Sequence, residues 1–110
     1  MRKELESVYK RAVDVWGTES QMNMMTEEIG ELLQAISKFR RSYNKSDEVR
    51  RDAFNHLCEE TADVENMINQ FRYMLNNELI DKYKEEKLER TLQKIIKTEN
   101  EKNSDTGGKS

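Results

Sequence analysis

Two short acidic motifs are the residues best placed to do chemistry: Glu28-Ile29-Gly30-Glu31 and Glu60-Thr61-Ala62-Asp63, with 28 residues between them. Each lies in a strongly helical stretch. Positions i and i+3 of an α-helix lie on one face, so each motif is a two-pronged acidic claw. If the two helices pack antiparallel, the claws face each other. Four carboxylates converging on one point repel unless cations sit between them. Hard divalent cations with oxygen ligands, Mg²⁺ first and Mn²⁺ beside it, are the natural occupants.

With 22 acidic residues in the chain, such pairs also arise on solvated faces or in salt-bridge networks. Angular position helps to separate the cases. At about 100° per residue, Met22, Ile29 and Ile36 nearly coincide in direction. Glu27 then points away from that face, Glu28 borders it, and Glu31 is a step further round the same side. Lys38 continues the border about two turns later. On the other helix Glu60 borders the stripe of Leu57, Val64, Ile68 and Phe71, with Asp63 beside it and Glu59 further out. A carboxylate at the edge of a core is costly unless it is paired or metal-bound. The residues alone leave a cation site and a salt-bridge network both open.

The elements that position these groups read as helices throughout. The chain has no proline, four glycines and no run of β-branched residues, which predicts an all-α fold. A first helix is expected from about Arg2 to Trp16, with Leu5, Val8, Ala12 and Val15 as its stripe. Gly17 ends it, and Thr18-Glu19-Ser20-Gln21 has the form of a capping box for the next. The second helix, with Met22, Met25, Ile29, Leu32, Leu33 and Ile36, extends to about Ser42. Ser46 or Asp47 caps a long third helix carrying Phe54, Leu57, Val64, Ile68, Phe71 and Leu75 to about Asn76. A fourth, with Leu88, Leu92, Ile95 and Ile96, ends near Thr98. One domain over residues 1–99 is expected, followed by a disordered polar tail over 100–110.

Composition bounds the function. Apolar residues are 35% and charged residues 37%, lean for a core of this size, and small helical domains often complete theirs by oligomerising. Leu5, Val8 and Val15, with Phe71 and Leu75, are the candidate shared surface. A net charge of −3 gives no basic face for nucleic acid. No apolar run is long enough for a membrane span. The charged start, Met1-Arg2-Lys3-Glu4, lacks the apolar segment of a signal peptide, and a lone Cys58 fits a reducing cytoplasm. Cys58, next to Leu57, is read as a small core residue, and His56, without a partner motif, as a surface residue.

Other residues offer contacts to an anionic or aromatic ligand. Lys38 and Arg41 follow the first motif, and Lys87, Arg90 and Lys94 form a stripe on the fourth helix. Either set could neutralise phosphate oxygens, or simply face solvent. Gln21 and Asn23 stand about two turns before Glu28, and Asn66 one turn beyond Asp63, as amide donors and acceptors for a base or sugar. Trp16 could stack on a base or anchor an interface.

The run Thr26-Glu27-Glu28-Ile29-Gly30-Glu31-Leu32-Leu33-Gln34-Ala35-Ile36, with Glu59-Glu60-Thr61-Ala62-Asp63-Val64, resembles the MazG-like, all-α nucleoside triphosphate pyrophosphohydrolases, whose signature is Glu-x-x-Glu, a spacer, then Glu-x-x-Asp. The segments from Trp16 to Met25 and Lys87-Leu88-Glu89-Arg90 are similar to compact phage and bacterial members. The resemblance implies a four-helix bundle-like fold completed as a homodimer or homotetramer. It makes Glu28, Glu31, Glu60 and Asp63 ligands of Mg²⁺. It implies hydrolysis of an NTP or dNTP between the α and β phosphates, giving the monophosphate and pyrophosphate, as nucleotide-pool housecleaning. Glu28 is the first candidate for general base, because it lies nearest the apolar border, and Glu27 is the reserve. A specific dUTPase or dCTPase is a narrower version of this expectation. A noncatalytic helical dimer with salt-bridged acidic pairs, acting as an interaction module, is the alternative.

Overall fold

The computed structural model describes residues 1–108, with side chains as far as Ser104. Among the described residues there are four helices and no strand, so the fold is all-α. The helices are α1 (Lys3–Trp16), α2 (Thr18–Arg41), α3 (Asp47–Met74) and α4 (Asn77–Gly108). The chain divides into two compact units, Met1–Leu75 with the first three helices and Asn76–Ser110 with the fourth.

The helix boundaries follow from local chemistry. Gly17, at φ +86°, takes a backbone conformation that an L side chain rarely adopts. Its N–H donates to the Val13 carbonyl at 2.9 Å, and its own carbonyl accepts from the Gln21 N–H at 3.2 Å, so one residue closes α1 and opens α2. The expected capping box is not formed. Gly17 takes the N-cap position, no side chain caps this end, and the Gln21 side chain turns into the protein interior. Ser46 does cap α3, its Oγ accepting from the Val49 N–H at 3.2 Å. Asn76 Oδ1 accepts from the Leu79 N–H at 2.9 Å and opens α4 in the same way.

α2 and α3 form an antiparallel hairpin around a seam with alternating spacings of three and four residues. On α3 the seam is Ala53, Leu57, Glu60, Val64, Met67, Phe71 and Met74, all buried or half-buried. On α2 it is Gln21, Met25, Glu28, Leu32, Ala35, Phe39 and Ser42, buried or half-buried except Phe39, which is slightly more open. Two contacts set the register. The Gln70 amide donates to Gln21 Oε1 at one end, and the Phe39 and Phe54 rings meet at 6.1 Å between centroids at the other. α1 packs against both helices, chiefly α3, through buried Ala12 and half-buried Tyr9 and Val13. Leu5, Val8 and Val15, expected with Ala12 on one stripe, are exposed.

The seam gives the hairpin two chemically distinct flanks. At about 100° per residue, a residue one before a seam position turns to one flank and a residue one after it turns to the other. Antiparallel helices reverse both the sense of rotation and the facing direction. The two reversals cancel, so "one before" is the same flank on both. One after the seam stand Met22, Ile29, Leu33 and Ile36 of α2, with Phe54, Ile68 and Leu75 around α3, all exposed. Cys58 stands on this flank too and is exposed, which corrects its reading as a core residue. Phe71, expected at a shared surface, lies in the seam and is half-buried.

α4 is exposed along almost its whole length, Leu88, Leu92, Ile95 and Ile96 included. It runs past Thr98 as far as Gly108, because nothing from Glu99 to Thr106 is a strong helix breaker and no proline intervenes. The polar stretch from Asn100, expected to be disordered, therefore enters this helix. Residues 109–110 lie outside the described residues. No helix is long and apolar enough to cross a membrane among the described residues.

Candidate metal centre

Glu60 occupies the middle of the α3 seam and is only 8% exposed. Helical spacing placed it at the border of an apolar stripe. The structure instead centres the packing face on Ala53, Glu60 and Met67, so the carboxylate sits in the seam itself. Glu28 occupies the matching place on α2 and is half-buried. Asp63 stands one before Val64 and Glu31 one before Leu32, which turns both to the flank opposite the apolar one.

Glu28, Glu60 and Asp63 each offer an oxygen, and these three oxygens lie within 4.8 Å of one another. Glu31 faces Glu60 from across the hairpin, close enough for its charge to act on the Glu60 carboxylate. Burial raises the Glu28 carboxyl above the ordinary range, and the charges of Glu31, Asp63, Glu60 and Glu27 raise it further. Burial also leads for Glu60, followed by Glu31 and Asp63, with His56 acting in the opposite sense.

One oxygen of Glu28 and one of Glu60, Oε2 in each case, is buried with no hydrogen-bond partner. Such orphaned anionic acceptors are expensive. Three converging carboxylates with unmet acceptor capacity form a hard, all-oxygen donor set, which fits Mg²⁺ or Mn²⁺ and not a soft, thiolate-preferring ion. A salt-bridge network would also have answered these charges. Among the described residues, however, no lysine or arginine pairs with Glu28, Glu31, Glu60 or Asp63. The basic neighbour is His56, whose Nε2 lies 3.8 Å from Glu60 Oε1, one turn earlier on α3.

His56 was expected at the surface without a partner. It is exposed, but it borders the acidic centre and lines a cleft beside it. The signal was present in its spacing, four residues before Glu60 on a helix.

The other expected ligand contacts fall in different places. Glu27 is exposed. Lys38 and Arg41, each one before a seam position, share the flank of Glu31 and Asp63 and line the same cleft as His56. Asn66 also shares that flank, its Oδ1 accepting from the Tyr9 hydroxyl at 2.9 Å. Gln21, expected to meet a base or sugar, is fully buried, with its amide spent on Gln70 and on Met24 Sδ. It therefore presents no free group to a ligand. Asn23 and Trp16 are exposed, Trp16 at the α1–α2 corner. Lys87 and Arg90 are exposed on α4, in the second unit.

No family model matches the chain, and neither a curated protein nor a solved structure does.

Proposed function

We propose that this chain is a divalent-cation-dependent nucleoside triphosphate pyrophosphohydrolase of the MazG-like kind. The observation that carries the reading is the carboxylate cluster built into the hairpin seam, with a buried, unpartnered oxygen on each of Glu28 and Glu60. A packing seam tolerates such groups when a ligand answers them, and among the described residues no side chain or backbone group hydrogen-bonds either oxygen.

Glu28, Glu60 and Asp63, with Glu31 beside them, would hold Mg²⁺ or Mn²⁺. The cation would supply neutralisation of phosphate charge and a lowered pKa for the attacking water. The reaction takes water onto the α-phosphorus, breaks the bond from that phosphorus to the bridging oxygen, and releases pyrophosphate and the monophosphate. Glu28 is the group assigned to accept the water's proton, since burial has brought its pKa closer to that of its task. Glu27, exposed beside it, is the reserve. The base and sugar would lie toward Asn66, whose N–H groups share the flank of Asp63. The exposed apolar flank is assigned to self-association, as a dimer or tetramer. Among the described residues no lysine or arginine pairs with the carboxylates, which weighs against an interaction module with salt-bridged acidic pairs.

The test is pyrophosphate release from each common NTP and dNTP with Mg²⁺, alongside melting with and without the metal. Release from at least one nucleotide, with a metal-dependent rise in Tm, is the expected result. No release from any, with a Tm indifferent to Mg²⁺ and Mn²⁺, would overturn the proposal. The same panel separates a broad enzyme from a dUTPase or dCTPase.

A further inference from the structure

His56 and Asp52 stand on the same flank of α3 as Asp63, each one residue before a seam position. The imidazole therefore has a carboxylate one turn to either side, Asp52 four residues earlier and Glu60 four residues later. It reaches only one of them. Its Nε2 lies 3.8 Å from Glu60 Oε1, and no ion pair joins it to Asp52 among the described residues. Asp52 is exposed and Glu60 is buried.

The contact is poorly suited to stabilising the helix. Exposed ion pairs contribute little, and the acidic residue is better placed before the basic one than after it. Here His56 comes first. The cleft at the α2–α3 turn does not account for the contact either. Lys38, Arg41 and Lys45 line that cleft with His56 and Asp52. An imidazole belonging to the cleft alone would have Asp52 as its partner.

The two oxygens of Glu60 are differently placed. Oε1 faces the imidazole, and Oε2 is buried with no hydrogen-bond partner. Carboxylates that ligate a metal are themselves held from outside by a hydrogen-bond donor, which orients the ligating group. Glu60 has such a donor beside one oxygen and unmet acceptor capacity on the other.

We infer that His56 is the positioning residue of the acidic centre: it holds Glu60 through Oε1 and so presents the buried Oε2 to a divalent cation. That the centre takes a hard divalent ion rests on the proposed function. Nε2 stands about 1 Å beyond hydrogen-bond reach of Oε1. The imidazole side chain is 47% exposed, so a small turn of the ring closes that gap while the seam stays packed. Nε2 carries a proton in the imidazolium and in one neutral tautomer, so the donor does not depend on the charge of the ring. With Oε1 held, the cation meets a carboxylate that is already ordered, which strengthens binding.

The experiment is titration of the metal-free full chain with Mn²⁺ alone, no nucleotide present, with free Mn²⁺ followed by electron paramagnetic resonance. His56→Ala should bind about tenfold to 100-fold more weakly than wild type. His56→Gln should recover most of that loss, because its amide N–H can reach the same oxygen. Asp52→Asn, at the same spacing on the other side of His56, should bind as wild type does. Metal-free melting temperatures of the His56 variants should stay close to wild type, which separates lost affinity from lost fold. Binding by His56→Ala that equals or exceeds wild type would overturn the inference, and so would a His56→Gln no better than His56→Ala. The two proposals fail differently. Wild-type protein that binds no Mn²⁺ removes the metal centre itself. Equal binding by wild type and His56→Ala removes only the role of His56. Binding that depends on His56, with no nucleotide hydrolysed, removes only the enzymatic reading.

Discussion

Glu28 and Glu60 reach toward each other across the α2–α3 seam, and each keeps one carboxylate oxygen buried with no hydrogen-bond partner. Packing positions seldom carry a charge, and here two opposed ones do. The pair is therefore a source of instability in the metal-free protein and a source of affinity for a cation.

Replacement of Glu60 by Gln should separate those two effects. Metal-free E60Q should melt above wild type, because the repulsion from Glu31 and Asp63 is relieved. Its rise in Tm with Mg²⁺ should largely vanish. Pyrophosphate release should fall by at least about 100-fold, since even outer-shell partners of a metal ligand cost about 10–100-fold. An E60Q protein with full activity would remove Glu60 from the site.

The pH dependence has a definite sign. The Glu28 and Glu60 carboxyls are both raised above their unfolded values, so the folded state holds their protons more tightly. Their contribution to metal-free stability is most favourable below the ordinary Glu range. It declines as pH rises through the window between that range and the raised folded values. Cation binding needs the ionised forms, so the Tm increment from Mg²⁺ should grow over the same window. Melting curves across pH, with and without Mg²⁺, test both slopes. Activity lost in acid should partly return when Mg²⁺ is increased.

The buried Gln21–Gln70 hydrogen bond makes a test that is independent of function. Gln21→Leu alone strands the Gln70 amide and should cost about 1–3 kcal/mol of stability. Changing both glutamines to Leu removes donor and acceptor together, and should recover most of that loss. Denaturant unfolding of the single and double variants measures the difference. A double variant no better than the sum of its singles would contradict the pairing.

The apolar flank should make assembly visible. Ile29 is 44% exposed and Leu33 61% exposed, with Ile36, Phe54 and Ile68 close in exposure. A second copy covering this flank would give a melting temperature that rises with protein concentration. It would also shield Cys58, which should then react slowly with a thiol reagent at high concentration and quickly on dilution. Leu33→Glu should shift light scattering toward the 13.1 kDa monomer. Wild-type protein that is already monomeric at micromolar concentration would exclude the assembly.

The helices and the two acidic motifs were legible because both depend on neighbours in sequence. Three-residue spacing within a helix is enough to place Glu28 with Glu31 and Glu60 with Asp63. Seams and flanks were less legible. Met22, Met25, Ile29, Leu32, Leu33 and Ile36 read as one apolar face of α2, yet of these only Met25 and Leu32 lie in the seam. α3 packs instead on the adjoining stripe through Gln21, Glu28 and Ala35, because the hairpin register pairs Gln21 with Gln70 and Phe39 with Phe54. Hydrophobicity along one helix cannot report which of two adjacent stripes a partner will cover. The same limit explains Cys58, one residue from the seam and exposed.

What the sequence determined by itself, then, was an all-helical chain with two acidic claws and lysine and arginine two turns beyond the first. Those are short-range relations, set by 3.6 residues per turn. The tertiary structure alone decided that Glu28 and Glu60 lie in the seam and lose solvent there. It also decided that His56 touches Glu60, and that Lys38, Arg41 and Lys45 meet across a turn on one cleft. Each of these depends on the register of two antiparallel helices. That register is set by the sum of many cross-seam contacts and by no single motif.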